Sequence, residues 1–289
     1  MNIRKLLLPL IGTSAGEAAL GTALEIAGIW GAHLLALHVR VDSRDVAPLA
    51  GEGLSGAMIE DMMTATETEG LARAHTVRAL FESTMAARGI PVGEPRHGAE
   101  RTATASFAAI TGREEDLVAQ QARLADLTVV PHGESSDDVS ASEALHAVLF
   151  DSGRPVLVAP PAAPATLGRR ICLAWNGTAE SASAVTAALP WLARAEAVRI
   201  LTAEEYQRRG PAAADMAAYL ALHDIHAEVA TFRPVDRDVG AGLLAAAGEF
   251  GADLLAMGAY SHSRLRQLLL GGVTRHVLEH ARLPVLMNR

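Results

Sequence analysis

The chain repeats itself, and this constrains its fold more than any single motif. KLLLPLIGTSAGEA, starting at Lys5, is answered by RICLAWNGTAESA, starting at Arg170. Each is an apolar run, then Gly-Thr, then a helix start. ARLADLTVVPHG is answered by EFGADLLAMGAY, with Asp126 matching Asp253, and RPVLVAP by LPVLMNR, with Pro155 matching Pro284. The order is kept, and the first copy carries 38 extra residues, between about Asp42 and Gly89. Most of that insertion reads as helix. Between the copies lies APPAAPATLG, Ala159 to Gly168, a proline-rich joint expected to be extended and semi-rigid. The reading is two tandem domains, 1–160 and 168–289.

Within each copy, short apolar runs alternate with helical patterns. Leu6-Leu7-Leu8 and Leu127 to Val130 lack polar alternation, as strands buried on both faces of a parallel sheet do. Ala19, Ala23, Ile26, Ala27 and Trp30 fall on one helical stripe; Val239, Leu243, Leu244, Ala247 and Phe250 form another. Successive strand–helix–strand units predict an α/β fold with two doubly wound parallel sheets of Rossmann-like type. Such sheets take ligands at the carboxyl ends of the strands, where the winding reverses.

Charge and cysteine narrow the function. A net charge of −8 argues against a nucleic-acid partner, which requires a basic face. The end of the chain differs: Met257 to Arg289 holds five arginines and one acid, Glu279, which suits a small anion. Cys172 is the single cysteine, so a disulfide framework is excluded and a reducing, cytoplasmic setting is expected. MNIRKLLLPLIG has the flavour of a signal peptide, but its apolar run is short and contains Pro9. No membrane span is expected, since none of the apolar runs approaches the roughly 18 residues that one needs.

The stretch MGAYSHSRLRQLLLGGVTRHVL, Met257 to Leu278, follows the last apolar run but one. Glycine amides can approach phosphate oxygens closely, and Gly271-Gly272 before a helix leaves unpaired N–H groups at its N-terminus, where anions are favoured. Thr274 offers a hydroxyl and Arg264 a bidentate cation. Gly258, two residues, Ser261, nine residues, then Gly271 and Gly272 is a spaced pattern. It resembles the nucleotide motif of the universal stress protein family in its tandem form. Ser261 stands where that motif has its second glycine, and Gly272 where it has a hydroxyl. The family's first strand ends in an Asp facing the nucleotide; here the second copy has Asn176 and the first has Ile11.

The resemblance implies an adenine nucleotide alpha hydrolase-like fold. It also implies a stress-response role through ATP or a related adenine nucleotide, with or without Mg2+, regulatory rather than catalytic and at most slowly hydrolytic. The implied contacts are Asn176, Gly258, Ser261, Arg264, Gly271, Gly272 and Thr274. It further implies that the last strands of the two copies pair, so that one chain mimics a dimer; a further homodimer is compatible with this. In the first copy Glu134, Asp137 and Asp138 follow Pro131-His132-Gly133 and would repel phosphate, so that half is read as degenerate and structural.

The residues also admit other readings. One is a protein-interaction scaffold with vestigial sites. Gly12-Thr13-Ser14-Ala15-Gly16 spells a nucleophile elbow, but it follows the first strand, before an oxyanion hole could be assembled, and the second copy has Ala179 at the matching place. His276-Val277-Leu278-Glu279-His280 spells a zinc-peptidase pattern; the alternative is two solvated histidines on the last helix. No catalytic residue and no metal ligand is assigned. Gly51 to Gly56, GEGLSG, has dinucleotide-fingerprint letters without a preceding strand and reads as a loop.

Overall fold

The computed structural model describes residues 2–43, 56–95, 102–133, 143–204, 210–260 and 272–289. The first half runs β1 (Lys5–Pro9), α1 (Ser14–Trp30), β2 (His33–Arg40), α2 (Gly56–Arg88), β3 (Thr104–Thr111), α3 (Glu114–Ala122) and β4 (Leu127–Val130). It closes with α4 (Glu143–Ala147), a π-helical turn (Val148–Ser152) and β5 (Val156–Val158). The second half runs β6 (Arg170–Ala174), α5 (Ala179–Leu192), β7 (Ala197–Ala203), α6 (Ala213–Ala221) and β8 (Ala227–Phe232). It closes with α7 (Val239–Phe250), β9 (Leu254–Gly258), α8 (Val273–His280) and β10 (Val285–Asn288).

These strands form one ten-stranded sheet in the order β3-β2-β1-β4-β5-β10-β9-β6-β7-β8. Every neighbouring pair is parallel except β5–β10, which is antiparallel, with Val285 opposite Val158 and Met287 opposite Val156. The last strands of the two copies thus cover each other's edges, which removes two templates for aggregation. The winding reverses between β1 and β4 in the first half and between β6 and β9 in the second.

The apolar pattern explains the layers. Leu6, Leu7 and Leu8 are fully buried, as two-faced burial requires. Ala19, Ala23, Ile26 and Ala27 of α1 are fully buried too, and Leu243, Ala247 and Phe250 of α7 are buried. Trp30 meets Trp191 edge-on at 5.5 Å, so the two halves share one core. The matched aspartates have a common task. Asp126 accepts from the amides of Arg4 and Lys5 at 2.7 and 3.0 Å. Asp253 accepts from those of Arg169 and Arg170 at 3.1 and 2.9 Å. Each carboxylate clamps the start of the first strand of its half.

The extra residues of the first copy lengthen the helix joining β2 to β3. In the second half that crossover, α6, has 9 residues; α2 has 33, a length of about 50 Å. Only Val77, Phe81 and Met85, on one face near its C-terminal end, are buried. The earlier turns rise beyond the carboxyl edge of the strands, held where Ser43 donates to Glu67 at 2.7 Å. Gly51 to Ser55 of the GEGLSG segment and Glu134, Asp137 and Asp138 lie outside the described residues.

Candidate functional site

The second switch point lies where β6 and β9 run side by side, with Ala174 opposite Met257. Asn176 follows the end of β6 and Gly258 ends β9, so both occupy the carboxyl edge of the sheet. Helix α8 connects the carboxyl end of β9 to the amino end of β10, which is parallel to β9. Its N-terminus therefore opens at the same edge.

Gly272 is the N-cap of α8, with φ −95° and ψ 165° and no side-chain cap. A helix begins with amides that have no intrahelical partner, and the N-cap residue Gly272 brings no side chain to them. Thr274, in the first turn, is buried. Ser261, Arg264 and Gly271 lie outside the described residues.

Two of the expected contacts also have structural tasks. A Cβ on Gly258 would stand 2.6 Å from the backbone of Glu180 and Ser181, so this position must be bare for α5 to start against β9. Asn176 Oδ1 accepts from the Thr178 amide at 3.2 Å and its hydroxyl at 2.9 Å, forming a turn through Gly177 at φ 79°. Thr178 in turn caps α5 by accepting from Ser181 N at 3.4 Å. The Asn176 carbonyl group is thus committed locally, whatever its amide nitrogen does.

The two histidines of the last helix stack, with ring centres 4.2 Å apart, but have different surroundings. His280 is exposed, and its Nδ1 lies 2.9 Å from the His276 carbonyl. His276 is half-buried rather than solvated: its Nδ1 lies 2.8 Å from Asp238 Oδ2. Asp238 also caps α7, accepting from Gly240 N at 2.6 Å and Ala241 N at 3.1 Å. Among the described residues no group of three or more His, Cys, Asp or Glu side chains could hold a metal. At the other switch point Ser14 is the first residue of α1 and exposed, while Thr13 caps that helix by accepting from Gly16 N at 3.2 Å. The elbow is a capped helix start.

In the sequence Tyr260 is a spacer of the glycine motif. In the fold it has φ 53°, uncommon for a side chain of its size, and its hydroxyl hydrogen-bonds His146 Nε2 at 3.0 Å. Nothing in the local spacing points to a partner 114 positions earlier in the chain.

Fold and site together define a class: a tandem doubly wound α/β protein whose last helix starts, behind a glycine N-cap, at the carboxyl edge of its second switch point. Residues 168–289 match the model of the Universal stress protein family. The whole chain is similar to a universal stress protein from Archaeoglobus fulgidus DSM 4304, with 16% identity, a TM-score of 0.65, and 100% of this chain and 97% of that one covered. It is also similar to a putative universal stress protein from Pseudomonas aeruginosa UCBPP-PA14, at 16% identity and TM-score 0.53, covering 99% of this chain and 93% of that one. No curated protein matches the sequence. The second half thus matches the family's model, and the whole chain shares the tandem fold of these structures. Among the described residues no helix is long and apolar enough to cross a membrane.

Proposed function

We propose that the second half binds an adenine nucleotide, ATP or a close relative, and that binding regulates a cytoplasmic stress response rather than starting a reaction. The observation that carries this reading is the α8 N-terminus, capped by Gly272 without a side chain, at the carboxyl edge beside Gly258. The first amides of a helix, which lack intrahelical partners, and the positive end of its dipole suit phosphate. Ser261, Arg264, Gly271 and Thr274 would add hydroxyl, cation and amide contacts, with Asn176 toward base or ribose. Mg2+ would arrive on the phosphates, since it is commonly held by substrate oxygens and few protein carboxylates. The scaffold reading draws support from Asn176, whose carbonyl oxygen already serves a turn.

Calorimetry with ATP–Mg2+ on the intact chain and on Gly272→Asp separates the two. The Gly272 backbone is extended, a conformation that residues other than glycine adopt without strain. Aspartate is a good N-cap but places a carboxylate on the amides assigned to phosphate. The expected result is an unchanged or higher melting temperature with affinity weakened roughly tenfold or more. Absence of binding by the unaltered chain at millimolar ATP favours the scaffold.

A further inference from the structure

We infer that Tyr260 couples occupancy of the second-half crevice to helix α4 and the π-helical turn of the first half. This rests on the nucleotide reading above and adds its regulation: the half read as merely structural becomes the part that registers ligand.

Two unusual pieces of backbone meet here. Tyr260 lies two residues beyond Gly258 and holds a left-handed conformation that glycine would adopt freely. Across the junction, α4 gives way to a π-helical turn from Val148 to Ser152, a geometry that is rare and concentrated at functional sites. Such conformations persist where their surroundings over-determine them. The surroundings are explicit. The Tyr260 hydroxyl bonds His146 Nε2 at 3.0 Å, and the two rings lie 5.7 Å apart. The Tyr260 ring also packs on Phe150, within the π-helical turn, at 5.4 Å. The Arg289 guanidinium lies over Phe150 at 4.3 Å. On the other side Ala259 N donates to Asn288 O at 3.0 Å, which fixes the chain leading into Tyr260 to β10.

The lever is therefore short. Phosphate seated beside Gly258 and the α8 amides acts on backbone one or two peptide units from Tyr260. A change of φ at Tyr260 swings its side chain, whose hydroxyl bonds His146 and whose ring packs on Phe150. By linkage the effect runs both ways: whatever steadies α4 and the π-helical turn alters nucleotide affinity by the same factor.

Hydrogen exchange followed by mass spectrometry, with and without ATP–Mg2+, tests this on the intact protein. In the unaltered chain, nucleotide should slow amide exchange in 143–152 at least several-fold. In Tyr260→Ala that response should vanish while ATP still binds and still protects 273–280. Tyr260→Phe keeps the ring and loses the hydroxyl, and should retain part of the response. A static structural role would let Tyr260→Ala loosen 143–152 without any dependence on nucleotide. Protection of 273–280 by ATP with 143–152 unmoved in the unaltered chain overturns the coupling and leaves the binding site standing. Failure of ATP to bind overturns both, and calorimetry reports that separately.

Discussion

Both halves end their first strand in a threonine-capped helix, yet the residues between strand and cap differ. In the second half Asn176 folds its oxygen back onto Thr178, and Gly177 turns at φ 79°. In the first half Ile11 and Gly12 make no such turn, and a Cβ at Gly12 would stand 3.1 Å from Val77 of the long helix α2. One switch point is edged by a self-contained polar turn; the other is approached by a crossover helix nearly four times the length of its counterpart. The frame repeats because buried apolar strands and small-residue helix faces admit few alternatives. The rims diverge because loop and helix-extension residues there carry no shared packing constraint.

The comparison breaks at its strongest point if the halves are independent. Trp191 is 2% exposed and Trp30 8% exposed, and the two stack edge-on in a core that runs through both halves. Trp191→Ala should cost about 3–5 kcal/mol, the usual range for removing a buried tryptophan. Scanning calorimetry should show one cooperative transition moving down as a whole. Two transitions, with only the second-half one displaced, would show that the shared core does not couple the halves. The antiparallel β5–β10 junction predicts the same cooperativity, so cutting the chain after Leu283 should lower stability throughout.

Next come the two aspartate clamps, which look alike but have different support. Asp253→Ala leaves Arg170 still donating from Nε and Nη2 to the Phe250 carbonyl at 2.9 and 2.6 Å, with its guanidinium 4.3 Å from the Phe250 ring centre. Lys5, the counterpart of Arg170, cannot make that forked contact. Asp126→Ala should therefore cost more, about 2–3 kcal/mol, and Asp253→Ala about 1–2 kcal/mol, from hydrogen bonds to a charged acceptor. Urea denaturation reads both. Equal losses would show that the arginine fork contributes nothing to the clamp.

Much of this frame was legible. The strands Leu6–Leu8 and Leu127–Val130, the helical stripes and the aspartate correspondence rest on repeated apolar spacing or on matched positions, whereas the pairing of the final strands came from the family resemblance. The tertiary commitments of single polar residues were not legible. Asn176 reads equally well as a ligand contact or a turn residue, because both need a short amide side chain. His276 reads as solvated because its partner, Asp238, is 38 positions away in the chain and placed only by the packing of α8 on α7. Tyr260 looks like filler between a glycine and a serine; its partners come from the other copy. The length of α2 showed in the sequence, whereas its role as a crossover that overshoots the sheet depends on which of its turns find the strands.

The smallest expected effect is a difference in pH response. In the strand register Lys5 faces His33, while Arg170 faces Ala197. The first half thus has a buried imidazole where the second has a methyl group. His33 Nδ1 and Nε2 each lie 2.9 Å from a hydroxyl, of Thr104 and Ser106 respectively. Burial, and secondarily the charge of Lys5, holds His33 below its usual value of 6.5, with Glu94 opposing. The unfolded chain therefore binds a proton that the fold resists, and stability should fall as pH drops below that value. Glu114 acts in the opposite sense. Burial first, and Glu143 second, raise its carboxyl above 4.5, so its burden on the fold is relieved as pH falls toward that range. His33→Gln isolates the first contribution. Between neutral pH and about pH 5 its melting temperature should decline less steeply than that of the unaltered chain. Hydrogen exchange should trace the extra acid sensitivity of the unaltered chain to β2 and β3, with β7 and β8 unaffected. Identical slopes in the two proteins would mean that the hydroxyl pair accommodates the imidazolium as well as the imidazole.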